Sequence, residues 1–177
     1  EQSLHRFVRV TFAEHQDLEV IRGVRIDATQ RKREHADLHK GDYLSILDAA
    51  LVASGLAEQW IQQVLPTDEW NWVVDSGRRP TILHRSPLNY VYDSGQSLIQ
   101  STGMVIEKFG NGFEEKNLET WLAAMKTHGI GKITLRFSLQ PEIQQKIQRY
   151  IASNLDKKTK KEGFLWADEA GIIYLCA

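Results

Sequence analysis

Two short stretches of this chain end alike: Val73-Val-Asp-Ser-Gly77 and Val91-Tyr-Asp-Ser-Gly95 each close a β-prone run with Asp-Ser-Gly. In mixed α/β proteins the ends of strands are where acidic ligands and phosphate contacts collect. Asp75 and Asp93 are therefore candidates to share a divalent metal. Glu107, in another predicted strand, offers a third oxygen of the kind hard cations prefer. On that footing the chain would be a metal-dependent phosphoryl-transfer enzyme or nuclease, and a divalent metal is expected in that case alone. The plainer alternative is preferred: Asp and Ser set turns and cap helices, and Gly admits a positive backbone angle. Neither turn matches a Walker loop or a dinucleotide-binding glycine pattern.

His35 and His39 stand four apart in a charged segment, a spacing that brings two imidazoles to one face of a helix at metal-binding distance. A third ligand is not evident, His84 qualifies only if the fold carries it close, and solvated histidines are the preferred reading. Nucleophilic catalysis has no handle, because Ser76 and Ser94 lie outside a Gly-x-Ser-x-Gly elbow. Cys176 is the one cysteine and sits in an apolar terminal run, where a buried, inert thiol is expected. Glu114-Glu115 beside Lys116 reads as charge at a helix entry.

The strongest functional signal is basic. Asp156-Lys-Lys-Thr-Lys-Lys-Glu-Gly163 places Lys157, Lys158, Lys160 and Lys161 between a predicted helix and the last predicted hairpin, where ammonium groups could meet phosphates. Arg31, Lys32 and Arg33 form a second cluster, and Arg78 with Arg79 a third. Trp70, Trp72, Tyr90 and Tyr92 would serve as stacking surfaces if exposed beside these cations. A lysine-rich loop is ordinarily a solvated surface, and tryptophans in strands are ordinarily core.

These groups need elements to hold them. Leu4 to Ala13 alternates with period two and predicts a strand. Asp17 to His39 is charged without an apolar stripe and predicts an exposed helix. Asp42 is a plausible N-cap, after which Leu44, Leu47 and Leu51 recur at helical spacing. Leu56, Trp60, Ile61, Val64 and Leu65 then form a second helix stopped by Pro66, so 42–65 reads as a helical hairpin. Beyond Pro66, strands are predicted at Trp70–Val74, Asn89–Tyr92, Met104–Phe109 and Lys132–Leu139. Helices are predicted at Gly95–Thr102, Leu118–His128 and from Pro141 onward. The alternation in Lys132–Leu139 fits an edge strand or an antiparallel sheet. Gly163–Ala167 and Gly171–Cys176 predict a terminal hairpin turned through Asp168.

The expected fold is therefore α+β: one domain, with a helix-rich part over 14–65 packed on a mixed, partly antiparallel sheet over 66–177 that ends in the hairpin. A length of 177 residues, with 42% hydrophobic and 25% charged, is that of a globular chain with a full core. No apolar run approaches the ~18 residues of a membrane span, so no membrane partner is expected. The first residues carry no apolar signal core, which with the single cysteine makes a reducing, cytoplasmic setting the expectation. Twenty-two Lys and Arg against twenty-three Asp and Glu leave no global polyanion-attracting field, but allow a local one. The expected role is a binding or interaction module in nucleic-acid handling, its partner a nucleic acid. A purely protein–protein interaction subunit is the other non-catalytic possibility.

Overall fold

The computed structural model describes residues 3–12, 16–31, 37–65, 69–89, 98–111, 115–156 and 158–177. Two antiparallel strands, β1 (Leu4–Phe12) and β2 (Gln16–Val24), come first, followed by a 3-10 turn (Ala28–Gln30) and β3 (Tyr43–Leu47). Helices α1 (Ala49–Ala53) and α2 (Ala57–Val64) then precede β4 (Trp70–Val74), β5 (Thr81–His84) and the long β6 (Ile99–Asn111). The chain closes with α3 (Leu118–Thr127), β7 (Lys132–Leu135), α4 (Pro141–Asn154), β8 (Glu162–Ala167) and β9 (Ile172–Cys176). Seven strands pair in the order β4-β5-β3-β6-β9-β8-β7, while β1 and β2 form a sheet of their own. The chain divides into two compact units, Glu1–Leu38 with Asp42–Thr102, and His39–Gly41 with Gly103–Ala177.

In the first unit the β1–β2 ribbon turns one face inward. Ile21 is 2% exposed there and Phe7 packs against the same core, which gathers Leu51, Trp60, Ile61, Trp72 and Ile82 from α1, α2, β4 and β5. Gly23 makes the approach of α2 possible, since a Cβ at that position would stand 2.6 Å from Gln59 Cγ. Gln59 Nε2 in turn donates to the Val24 carbonyl at 2.6 Å. Asp48 starts α1: its Oδ1 accepts from the amides of Ala50 and Leu51, and its Oδ2 takes Arg9 Nη1 at 2.9 Å. A capping carboxylate with a long-range cation ties the ribbon to the helix start.

In the second unit β6, β9 and β8 are antiparallel, and β7 joins β8 in parallel through the α4 crossover. Leu118, Trp121, Leu122 and Met125 of α3 meet Ile147 and Ile151 of α4 and Leu135, Leu165 and Leu175 of the strands in one core. The β8–β9 turn is set by Asp168, whose Oδ1 accepts the Ile172 amide at 2.8 Å, and by Gly171 at φ +80°. Among the described residues no helix is long and apolar enough to cross a membrane.

The α+β content and the terminal hairpin stand, but the helical N-terminal half is overturned: the front of the chain is strand, and the helices lie mostly later. The Asp17–His39 helix is replaced, over its described part, by β2, the 3-10 turn and irregular chain, and residues 32–36 of it lie outside the described residues. β2 offers Val20, Ile21 and Val24 to a pairing partner, and β-branched side chains favour the pleated surface. The predicted N-cap moves from Asp42 to Asp48, because residues 43–47 are a strand with Leu44, Ser45, Ile46 and Leu47 all buried. A strand covered on both faces shows no alternation, and its leucines imitate helical spacing. The Gly95–Thr102 helix is replaced, over its described part, by the start of β6, and β5 was not anticipated. The Lys132–Leu139 strand ends at Leu135; it is an edge strand as expected, though parallel to its neighbour.

Candidate nucleic-acid interface

The lysine loop is a built turn laced to a second turn of the same unit. Helix α3 ends at Thr127, with Gly129 at φ +64°, the Gly129 amide on the Lys126 carbonyl at 3.1 Å and the Ile130 amide on that of Met125 at 2.9 Å. This pair of bonds is the Schellman closure, with glycine at the one position that needs a left-handed backbone. Ile130 and Met125, 2% and 0% exposed, pin it to the core. On the other side α4 ends at Asn154, and Asp156 accepts the Lys158 amide on Oδ1 at 2.9 Å and the Thr159 amide on its carbonyl at 3.1 Å.

Gly131 joins the two turns. Its amide donates to the Lys161 carbonyl at 2.9 Å, and a Cβ there would stand 2.0 Å from the Thr159 carbonyl oxygen. Lys126, Lys132, Lys158, Lys160 and Lys161 are all exposed around this junction. Lys132 is held by Glu162 at 2.7 Å, and Lys161 Nζ reaches the His128 carbonyl at 3.5 Å. Lys126, Lys158 and Lys160 have no ion pair among the described residues. Lys126 sits in the last turn of α3, where its charge offsets the dipole of that helix. The near-neutral whole is uneven: the second unit holds twelve Lys and Arg against nine Asp and Glu, the first ten against fourteen.

The other predicted cations are placed differently. Arg31 is 3% exposed at its side chain. It binds Glu58 Oε1 at 2.7 Å and the carbonyls of Asp75 and Val52 at 2.8 Å each, and lies 5.0 Å from the centroid of the Trp72 ring. It bolts the first unit together. Arg78 is exposed and Arg79 half-buried in the β4–β5 turn. Lys32, Arg33 and Lys157 lie outside the described residues, as do Tyr90 and Tyr92. Trp72 is 2% exposed and Trp70 packs edge-on against it, so this pair belongs to the core.

Of the acidic candidates, Asp75 is buried at 4% and Glu107 sits on β6, while Asp93 lies outside the described residues. Glu107 is taken by Lys40 at 2.6 Å and approached by His128 Nε2 at 3.4 Å. The Lys40 ammonium, followed by His128, holds the Glu107 carboxyl below its ordinary range. His39 is exposed on irregular chain, and His35 lies outside the described residues. Among the described residues no group of three His, Cys, Asp or Glu is placed to hold a metal. Cys176 is fully buried, and burial pushes its thiol pKa up, which keeps it inert.

Sequence reasoning missed one constellation. Ser45 Oγ stands 2.8 Å from His84 Nε2 and 2.7 Å from Thr102 Oγ1, with His84 Nδ1 2.6 Å from the Ser86 carbonyl. A carbonyl only accepts, so Nδ1 carries the proton, Nε2 accepts from Ser45, and Ser45 accepts from Thr102. The pairing is that of a nucleophile and its base. Yet Ser45 is 0% and His84 1% exposed, so no substrate reaches Oγ in this arrangement, and the trio clamps β3, β5 and the start of β6. No sequence signal links residues 39 and 57 positions apart. An open cleft of about 490 Å³ lies beside it, lined by Glu69, Asn71, Leu83, His84 and Arg85; the Arg85 guanidinium is already paired with Asp42. Comparison with protein-family models, characterised proteins and solved structures finds no match to this chain.

Proposed function

We propose that this chain is a nucleic-acid-binding module that grips the phosphate backbone with the second unit, through Lys126, Lys158, Lys160 and Lys161. The observation that carries this reading is the cluster of exposed ammonium groups, three of them without an ion pair among the described residues, on a unit whose own charge is net positive. Lysine acts as a flexible point charge with no planar fork to read a base edge, so the grip is independent of sequence. With the tryptophan pair in the core, stacking adds nothing from that quarter.

The reading is tested by titrating the full chain into labelled single-stranded and duplex oligonucleotides. Three to four neutralised phosphates give a slope of log K against log salt of about −2 to −3.5, so raising salt from about 50 to about 200 mM should weaken binding on the order of 20- to 100-fold. The K126E/K158E/K160E variant should lose most of the affinity at low salt. Affinity that is undetectable at low salt, or unchanged by salt or by the variant, overturns the proposal.

A further inference from the structure

We infer that the outward face of the β1–β2 ribbon is a docking surface for an acidic amphipathic helix of a protein partner. The register sets Leu4 opposite Val24, Arg6 opposite Arg22 and Val8 opposite Val20. Side chains alternate along a strand, so with Phe7 and Ile21 turned into the core, the residues of opposite parity face out. Leu4 is 77% exposed, and Val8, Val10 and Val20 are 37–38% exposed. The wet face of an antiparallel pair is ordinarily polar. Here Leu4, Val8, Val10 and Val20 make most of it aliphatic, and Val8 stands directly opposite Val20 across the ribbon, which makes one patch and not isolated exposed residues.

Charge selects the occupant. Arg6 and Arg22 interrupt the aliphatic face directly opposite each other, a like-charge pair that costs stability, and neither has an ion pair among the described residues. Carboxylates laid over them remove that cost. A second copy of the same face would instead bring four guanidinium groups together. Shape selects a helix, because the inner face of the same ribbon is already packed by α2, with Gln59 seated over Gly23. Nine residues of strand span about 27 Å, the length of a helix of about 18 residues. This surface belongs to the first unit and is independent of the lysine loop.

The test uses the full chain and two labelled synthetic helices of about 18 residues with the same leucine stripe, one flanked by Glu and one by Lys. The Glu-flanked helix should bind at least about tenfold more tightly than its Lys-flanked twin. Arg6→Gln with Arg22→Gln should remove that preference. Val8→Thr with Val20→Thr, which keeps β-branching and so the ribbon, should weaken both helices at least about fivefold. Equal affinity for the two helices, or affinity unmoved by both double variants, overturns the inference. A dimer in sedimentation that Val8→Thr with Val20→Thr abolishes would give the face to a second copy. Stronger binding to phosphatidylserine vesicles than to the Glu helix would give it to a membrane. Either result also overturns the assignment.

Discussion

His84 shows how a single buried side chain ties this fold to pH. It is 1% exposed, stacks on Tyr43 at 5.6 Å, and donates from Nδ1 to the Ser86 carbonyl while Nε2 faces Ser45 Oγ. Burial lowers its pKa below the ordinary value, with the Ser86 bond opposing in part. As pH falls below the ordinary histidine value of about 6.5, the unfolded chain takes up a proton that the folded chain refuses. The stability owed to neutral His84 is thus fully present above about pH 6.5 and is lost as pH falls through the folded value. The thermal midpoint should drop between about pH 7.5 and pH 5.5, and the drop should be shallower in His84→Gln. Parallel pH profiles for the two proteins would refute the assignment.

At the scale of elements, the loops around the lysines depend on one absent side chain. Gly131 has an ordinary backbone angle, so its requirement is space and not conformation: the carbonyls of Thr159 and Asp156 fill the place a Cβ would take. Gly131→Ala should force the lysine loop off its turn, cost about 1–3 kcal/mol in denaturant unfolding and weaken oligonucleotide binding with it. Gly110→Ala, where a Cβ meets nothing within 4 Å, serves as the control and should change neither. Equal effects of the two substitutions would show that the packing at Gly131 is not what holds the loop. The same scale explains what the sequence disclosed. β1, β4, α2, α3 and α4 each bury one face, so their periods are visible in Val8 and Val10 or in Trp121 and Met125, while the terminal hairpin, buried on both faces, is legible through its turn at Asp168 and Gly171. β3 and β5, with Leu44 to Leu47 and Thr81 to His84 buried throughout, have no wet face and hence no period. β2 hides behind its charges, because Arg22 and Glu19 read as helix surface until β1 supplies the partner strand. Candidate sites are less legible still: Arg31 is indistinguishable in sequence from its neighbour Lys32, and what buries it, Glu58 and Trp72, lies 27 and 41 residues away.

For the whole molecule, the uneven charge implies a division of labour that neither the composition nor any single residue displays. The second unit concentrates ammonium groups where two helices end, and the first presents an aliphatic ribbon with paired arginines. A chain with one phosphate grip and one helix-binding face would bring a protein partner to nucleic acid. Hydrogen exchange reads both faces at once, since bound ligands slow amide opening locally. An oligonucleotide should slow exchange over 126–132 and 158–161 and leave 4–10 and 20–24 unchanged. The Glu-flanked helix should do the reverse. Protection by the oligonucleotide that falls on the ribbon and spares the lysine turns would assign the phosphate contacts to Arg6 and Arg22, and both proposals would fall together.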